Sequence, residues 1–484
     1  MLGKQDGKRD FFDSYVEERL LPGEHELLDI DAMVDFSFVE EEVADLYCAG
    51  TGRPSYPPEQ MFRILFLEYY YNLSDVEVVC QLQFNILFRH FVGLSLDDAV
   101  PDDSSLSVFR RRLGEERFRC LFHRLISQCQ QDNLLGDRLK LIDATHIVAE
   151  VAIPNMIRLL RDGRERVLAC LEARHGQIPE LEGFKVTRGA PRQYGETQLA
   201  SEVEQVRELL SRVGEKYDGA EEELALLEEI VKPECRRTVV SFVDPDARLG
   251  HKSLRQVFTG YKAHVVQDST SALVTSIDVV AGNVHEAKAE NLARLLEQEE
   301  QQGIHHHGLA ADALYDSKET YTLAGEHGMT AYVRSRTRKR RAKDFAYDAV
   351  TEQLVCVRGE RTLGKSAHKK GELYYFETET CRRCEEPVCH RDKKGRVRVY
   401  MSTGEKMRRA IPPQALRQAM EERKKVERKF GEAKRHHHLG RARYRRRWRV
   451  AIQVFMTFLV INAKRMVKLL RAREDALQAV PSPG

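Results

Sequence analysis

The chain has 484 residues, more than one hydrophobic core usually serves, so we expect two or more structural units. Its 42% hydrophobic and 31% charged residues exclude a disordered or collagen-like chain. Uninterrupted apolar runs are too short to cross a membrane and the first residues lack the apolar segment of a secretion signal, so we expect a cytoplasmic protein without membrane spans.

Charge is segregated along the chain although the net charge is only +2. Residues 1–50 contain 14 acidic and 4 basic residues, whereas residues 421–449 contain 13 Lys or Arg against 4 Glu. Basic residues at this density indicate a face that binds nucleic acid. A solvated, charged helix is the alternative interpretation.

The first part of the chain, residues 1–135, predicts helices. Prolines open the helical pattern of PSYPPEQMFRILFLEYYYNLS, and Ser74 is suited to cap DVEVVCQLQ. The stretch DDSSLSVFRRRLGEERFRCLFHRLISQC begins with capping residues and carries a basic stripe that includes Arg110 and Arg111. We interpret this region as an all-α DNA-binding domain resembling helix-turn-helix modules, with a plain helical bundle as the alternative.

The middle of the chain, residues 136–343, predicts an α/β sheet flanked by helices. LKLIDATHIVA is a strand pattern, followed by a helical insertion over about 152–237 in which VEQVRELLSRV and EEELALLEEIV form a helical pair. TVVSFVD, YKAHVVQD and LVTSIDVVAG predict strands, and AKAENLARLLEQEE a helix. HGLAADA and MTAYVRSR predict two more strands, separated by a helix in KETYTLAGEHG.

Four of the ten cysteines cluster in residues 344–402, which predict short strands and turns: Cys356, Cys381, Cys384 and Cys389. Without a secretion signal, disulfides are not expected. The spacing CRRCEEPVC suits a tetrahedral zinc site, in which His390 can replace one thiol. A chance cluster is the alternative.

Two aspartates follow short apolar strand patterns: Asp143 after LKLI and Asp312 after GLAA. Ligands of open α/β sheets gather at the carboxyl ends of strands, so neighbouring strands could present the two carboxylates side by side. Facing carboxylates repel unless a cation such as Mg²⁺ or Mn²⁺ lies between them. Taken singly, each aspartate could equally be a helix cap or a turn residue.

A third acid is offered by the helical pattern EERKKVERKFGEAKRHHH. Arg423, Glu427 and Lys434 are spaced by four and then seven residues, so they lie on one helical face. Glu427 could complete a metal site while the two cations meet phosphates. An ordinary Arg–Glu pair on a helix surface is the alternative.

These motifs, in this order, resemble the DDE transposases of bacterial insertion sequences over nearly the whole chain. LIDATHI resembles the family's first-Asp strand, ADALYDSKE its second-Asp motif and VERKFGEAKRHHHLGRARYR its glutamate helix. FTGYKAHVVQD and VVAGNVHEAKAENLARLL are similar to its second and third strands and the next helix. Relatives commonly have Tyr three residues before the Arg, where this chain has Met420.

The resemblance implies a ribonuclease-H-like mixed sheet flanked by helices, with an all-α N-terminal domain, a helical insertion and a small Cys-containing insertion. Residues 403–478 would complete this core with the glutamate helix and C-terminal helices, and residues 479–484 would form a tail. Asp143, Asp312 and Glu427 would hold two Mg²⁺ or Mn²⁺ ions.

The implied function is a DNA transposase that binds the terminal inverted repeats of its element, and then cleaves and transfers DNA strands with metal ions. Its partners would be double-stranded DNA and further copies of the chain. The basic residues expected at the DNA are Arg423, Lys434, Lys262, Arg435, Arg441, Arg443, Arg110 and Arg111. An inactive or domesticated copy acting as a repressor and a nuclease of the same fold without strand transfer are the alternatives.

Overall fold

The structure is a computed structural model that describes residues 2–3, 11–21, 23–48, 54–186, 195–214, 216–232, 239–252, 255–334, 345–368, 371–385, 389 and 391–478. The predicted tail, residues 479–484, and the alternative zinc ligand His390 lie outside the described residues.

The N-terminal region is helical, as its sequence predicts. Its helices are α1 (Phe11–Leu20), α2 (Glu26–Met33), α3 (Phe38–Val43), α4 (Pro58–Tyr71), α5 (Asp75–Phe84), α6 (Ile86–Val92) and α7 (Asp103–Gln131). The predicted cap is confirmed, because Ser74 and Glu77 form a reciprocal capping box at the start of α5. Helix α7 bends at Gly114, where φ is 63°.

The prediction of a mixed α/β sheet flanked by helices is confirmed by one six-stranded sheet. Its strands are β1 (Lys140–Val148), β2 (Arg248–His251), β3 (Val257–Asp268), β4 (Val274–Ala281), β5 (Gly308–Ala311) and β6 (Thr330–Val333). The order is β2-β3-β1-β5-β6, with β4 also paired to β3. Strand β3 runs antiparallel to β1, β2 and β4, whereas β5 runs parallel to β1 and β6.

The strand predicted in TVVSFVD is wrong for its described part, residues 239–244, which form only an isolated bridge between Val239 and Arg248. Val239 and Phe242 are instead buried in the core of the helical insertion. The alternation of apolar residues in this segment therefore reflects packing against helices. Strand β2, which follows it, lacked a strand signal because RLGH is mostly polar or small.

The helical insertion contains three α-helices in its described part, of which the last two contain the predicted pair: α8 (Met156–His175), α9 (Glu196–Val213) and α10 (Glu221–Val231). They pack around a hydrophobic core of their own. Two further helices, α11 (Ala289–Gln301) and α12 (Lys318–Glu326), cover one face of the sheet.

The Cys-containing segment is a small unit of short strands and helices. Its elements are β7 (Ala346–Asp348), β8 (Gln353–Val355), β9 (Gly364–His368), β10 (Gly371–Tyr375), α13 (Thr378–Arg383), β11 (Arg398–Ser402) and α14 (Thr403–Arg409). Strands β9, β10 and β11 form an antiparallel sheet, and β7 pairs with β8. The unit has a separate, small core.

Two long helices, α15 (Pro413–His436) and α16 (Arg447–Gln478), cover the other face of the sheet. They share one continuous hydrophobic core with the N-terminal helices, so a domain boundary near residue 135 stays a prediction.

By length and average hydropathy α16 could cross a membrane, although its uninterrupted apolar runs are short. However, 89% of its most apolar stretch is buried inside the protein, as in a core helix.

Candidate active site

Parallel pairing of β1 and β5 brings the two predicted aspartates together. Lys140 lies opposite Leu309 and Leu141 opposite Ala310, and continuing this register brings Asp143 level with Asp312. The sequence suggested that Asp143 lies at the end of a strand. In the structure it lies within β1, because β1 continues to Val148 alongside β3. Pairing with β5 stops before Asp143, which leaves that side of the strand open at the two carboxylates.

Helix α15 supplies the third carboxylate. Arg423 and Glu427 lie one turn apart on the helix, and the Arg423 guanidinium donates to Asp143 Oδ2 at 2.9 Å and to Glu427 Oε1 at 2.7 Å. One guanidinium therefore connects a carboxylate of the sheet with a carboxylate of the helix, although 284 residues of sequence separate Asp143 from Glu427.

The electrostatic environment of Asp143 is that of a partly desolvated acid beside a like charge. Burial raises the pKa of Asp143 to about 6, and the nearby Asp312 also raises it. Arg423 and the backbone N–H of Ala144 act in the opposite direction by stabilising the carboxylate. A raised carboxyl pKa in a cluster of acids is typical of a catalytic or metal-binding site.

Tyr315 lies near Asp143 and Asp312 and remains a neutral phenol. It is 2% exposed, and burial together with the charges of Asp143, Glu286 and Asp312 raises its pKa far above the usual value. Its hydroxyl lies 3.5 Å from Nδ1 of His264 on β3. Asp312 also caps the short 3₁₀ turn that carries Tyr315, because its Oδ1 accepts from the N–H of Leu314.

Carboxylate oxygens are the ligands that Mg²⁺ and Mn²⁺ prefer, so the chemistry of this donor set fits a hard divalent ion. In the part of the chain that the structure describes, however, no three His, Cys, Asp or Glu side chains stand in position to hold one ion. At the acids, the guanidinium of Arg423 contacts both Asp143 and Glu427.

A groove rich in cations runs beside Glu427 along α15 and α16. We call it the basic groove; its volume is about 940 Å³. Its cationic lining residues are Arg334, Arg423, Lys424, Arg428, Arg435, Lys464 and Lys468. Arg428 and Arg435 are exposed and have no ion-pair partner among the described residues. Of the residues predicted to meet DNA, Arg423 and Arg435 line this groove.

Other predicted cations lie nearby but in different environments. Lys434 is half-buried, and burial and the charge of Lys252 lower its pKa. Lys262 donates to the carbonyl of Val284 at 3.0 Å and pairs with Glu286 at 3.2 Å. Arg441 and Arg111 are exposed on the surface.

Two other cations predicted to contact DNA pair with acidic side chains of the N-terminal helices. Arg110 is 7% exposed and pairs with Glu68 at 3.1 Å and with Asp75. Arg443 pairs with the same Glu68 at 3.0 Å and donates to the carbonyl of Leu73. Both cations are used in packing α7 and the C-terminal segment against α4, so their contact with DNA stays a prediction. The sequence could not reveal this, because it does not show that Glu68 is buried.

Lys252, which follows β2, is a further basic residue here that the sequence did not indicate. Burial and the charges of Lys434, Lys252 and Lys262 lower the pKa of His146 on β1 to about 4. These basic groups lie together across β1, β3 and α15, although the chain separates them widely. Only the register of β1 against β3, which pairs His146 with Lys262, makes this cluster visible.

Two protein-family models match segments of this chain. Residues 15–112 match the family described as "Transposase domain (DUF772)", and residues 235–463 match "Transposase DDE domain". The chain is a DDE transposase. The second match contains Asp312 and Glu427 of this transposase, whereas Asp143 lies between the two matched segments.

Membership makes the transposase an enzyme of the nuclease and strand-transferase class that acts on DNA, in a family that generally uses divalent metal ions. A cryo-EM structure of a piggyBac transposase synaptic complex with hairpin DNA aligns with 93% of this chain and 76% of that chain. The identity is 11% and the TM-score 0.35, a level of similarity that supports no conclusion about fold or mechanism.

Proposed function

We propose that this transposase binds the terminal inverted repeats of its insertion sequence, cleaves a strand at each end and joins the ends to target DNA. Asp143, Asp312 and Glu427 are its catalytic carboxylates, carried by a ribonuclease-H-like sheet and its glutamate helix. The observation that carries the proposal is the single Arg423 guanidinium that contacts both Asp143 and Glu427, where Asp143 lies level with Asp312, the residue that follows β5.

The three carboxylates would hold two Mg²⁺ or Mn²⁺ ions, which supply Lewis-acid activation of the attacking oxygen and stabilisation of the leaving oxygen. Arg423 balances the negative charge of Asp143 and Glu427 when no metal is bound. From the same position it can donate to a phosphate oxygen, for which a planar guanidinium is well suited.

The reaction needs only an oxygen nucleophile and a phosphodiester. In cleavage, a water oxygen forms a bond to phosphorus and the P–O3′ bond breaks, which leaves a 3′-hydroxyl on the element. In joining, that 3′-hydroxyl attacks a target phosphodiester and a target P–O3′ bond breaks. Each nucleophile loses its proton and each leaving oxygen gains one, so the same carboxylates serve both steps.

The basic groove is the surface we assign to the DNA backbone near the acids. Arg435 and Arg428 are exposed there without competing carboxylate partners among the described residues, so they are available to phosphates. Near the same helix end the exposed Arg441 and the half-buried Lys434 extend the positive surface, whereas Lys262 is buried and only 6% exposed. Two element ends must be cut and joined together, so we expect a homo-oligomer on double-stranded DNA in the cytoplasm.

The test is a joining assay with purified protein, labelled terminal-repeat DNA, a target plasmid and Mg²⁺. Wild-type protein is expected to give joined products. Asp143→Ala and Glu427→Gln should each lower the rate of joined-product formation by a factor of about 10³ or more. Both variants should still bind the terminal repeats. Glu421→Gln, an exposed change on the same helix, is the matched control and should retain joining.

The assay separates the alternatives. Nicked DNA without joined product would identify a nuclease without strand transfer. Binding without any cleavage by the wild-type protein would identify a repressor. Joining by Asp143→Ala at the wild-type rate would remove Asp143 from the site.

A further inference from the structure

Four thiols from separate segments of the Cys-containing unit line one cavity of about 500 Å³. We call them the four-thiol cluster: Cys356, Cys381, Cys384 and Cys389. The first follows β8, the next two lie in α13 and at its C-terminal cap, and the last lies beyond it. None of the four forms a disulfide, and all four are partly buried. The arrangement was not needed for any step of the proposed DNA chemistry.

The thiols are close enough to affect one another. Burial raises the pKa of Cys381, and so do the other three members of the cluster. Four neighbouring thiolates would repel one another without a bound cation. A soft divalent ion removes this repulsion, because each thiolate becomes a ligand.

The unit that carries the cluster is poorly supplied with apolar packing. The buried core consists of Phe345, Leu354, Tyr374, Phe376, Val397, Val399 and Met401. Cys356, Cys381 and Cys389 pack at its margin. Small units with cores of this size are commonly stabilised by disulfides or a structural metal, and these thiols form no disulfide.

Charge around the cavity favours an anionic metal centre. A zinc ion with four thiolates carries two net negative charges. Arg358, Arg383 and Arg391 line the cavity together with Glu360 and Glu379, so the fixed side chains leave a positive balance. Arg391 also donates to the carbonyl of Cys384, which holds a cation next to one of the thiols.

We propose that the four-thiol cluster binds one structural zinc ion that ties the β7–β8 hairpin to α13 and to the segment before β11. As they stand, no three described thiols are in position to share an ion, so binding must draw the cavity walls together. The thiols lose their protons as the Zn–S bonds form, and solvent takes them up, so affinity rises with pH. Zinc stays divalent throughout, and no oxidant or reductant takes part.

The experiment measures metal in the full-length protein. Purified from medium containing zinc and iron, wild-type protein should contain about one zinc per chain. Cys381→Ser and Cys384→Ser should each lower the zinc content at least about fivefold, since thiolate ligands dominate such sites. Cys80→Ser, which alters an exposed thiol on α5, should leave it unchanged. Replacement of zinc by Co²⁺ in the wild-type protein should give thiolate-to-metal charge-transfer absorption, a readout that does not depend on variants folding.

Three results would overturn the proposal. The first is a metal-free wild-type protein that also fails to bind added Zn²⁺ or Co²⁺. The second is full zinc content in Cys381→Ser and Cys384→Ser. The third is iron with visible absorption in place of zinc, which would identify an iron–sulfur cluster. The result is independent of the proposed reaction, because Asp143→Ala should lose joining while it keeps its zinc.

Discussion

The ionisation of Asp143 has an energetic cost in the metal-free protein. Its pKa is raised from 3.8 to about 6, so the folded protein holds this proton more tightly than the unfolded chain between those pH values. The free energy of unfolding therefore falls as pH rises through this range, by up to about 3 kcal/mol from this group. Asp143→Asn removes the cost, so in EDTA its Tm should exceed that of wild type at about pH 8, with the difference vanishing below about pH 4.

Asp137→Asn makes the same chemical change at an exposed position near the start of β1 and should show no pH-dependent difference. Added Mg²⁺ should raise the Tm of wild type at pH 8 and leave that of Asp143→Asn nearly unchanged, since binding to the folded state is stabilising. If the Tm difference between Asp143→Asn and wild type were the same at about pH 8 and below about pH 4, ionisation of Asp143 would have no cost in the free energy of unfolding.

The junction of β2, β3 and β4 depends on glycines at close backbone approach. A Cβ on Gly260 would lie 2.1 Å from the carbonyl oxygen of Ile147, and one on Gly282 would lie 2.7 Å from that of Arg248. Gly260 also has φ of 150°, a region that L side chains rarely adopt. Gly260→Ala should therefore lower the free energy of unfolding by about 2 kcal/mol or more, measured by urea denaturation.

Gly325→Ala is the matched control for this change, because Gly325 lies in helix α12 with open space around its Cα. Alanine is the better helix former, so this substitution should leave stability equal or raise it by up to about 1 kcal/mol. If Gly260→Ala and Gly325→Ala changed the free energy of unfolding equally, the neighbouring strand backbones would tolerate a wider spacing at Gly260.

Helices were more predictable than strands, because the signals of a helix lie within a short stretch of sequence. The Ser74 cap and the shared face of Arg423 and Glu427 follow from residue spacing within single helices. Strand β2 and the non-strand at residues 239–244 depend on which distant segment each side chain packs against. The sequence pointed to three candidate acids, but the Arg423 bridge between Asp143 and Glu427 depends on the packing of α15 across β1.

Glu68, a 1% exposed carboxylate on α4, joins the N-terminal helices to the C-terminal part of the chain. It accepts from Arg110 of α7 at 3.1 Å and from Arg443, between α15 and α16, at 3.0 Å. Glu68→Ala leaves two guanidinium groups without this partner in the interior. We expect a loss of about 3–5 kcal/mol in the free energy of unfolding, measured by urea denaturation.

Glu116→Ala is the control, because Glu116 makes an exposed pair with Arg119 on the surface of α7 and should cost at most about 0.5 kcal/mol. The Glu68 network joins the first and last parts of the chain, so we expect a single unfolding transition for these two regions. Separate transitions in wild-type protein would show that the N-terminal helices and the sheet fold independently, despite their shared core.

DNA binding should depend on the positive surface of the whole molecule, and its dependence on salt counts the phosphates that this surface neutralises. If Arg428 and Arg435 each neutralise one phosphate, their replacement by Ala should lower the slope of log affinity against log salt concentration by about 0.9 each. Titration of a labelled duplex at several salt concentrations measures this slope. Arg207→Ala removes the same charge from α9, outside the basic groove, and should leave the slope unchanged. If the DNA follows the basic groove, only the two groove variants should lower the salt slope. Equal reductions of the slope for all three variants would instead mean that DNA binding depends only on the net charge of the protein.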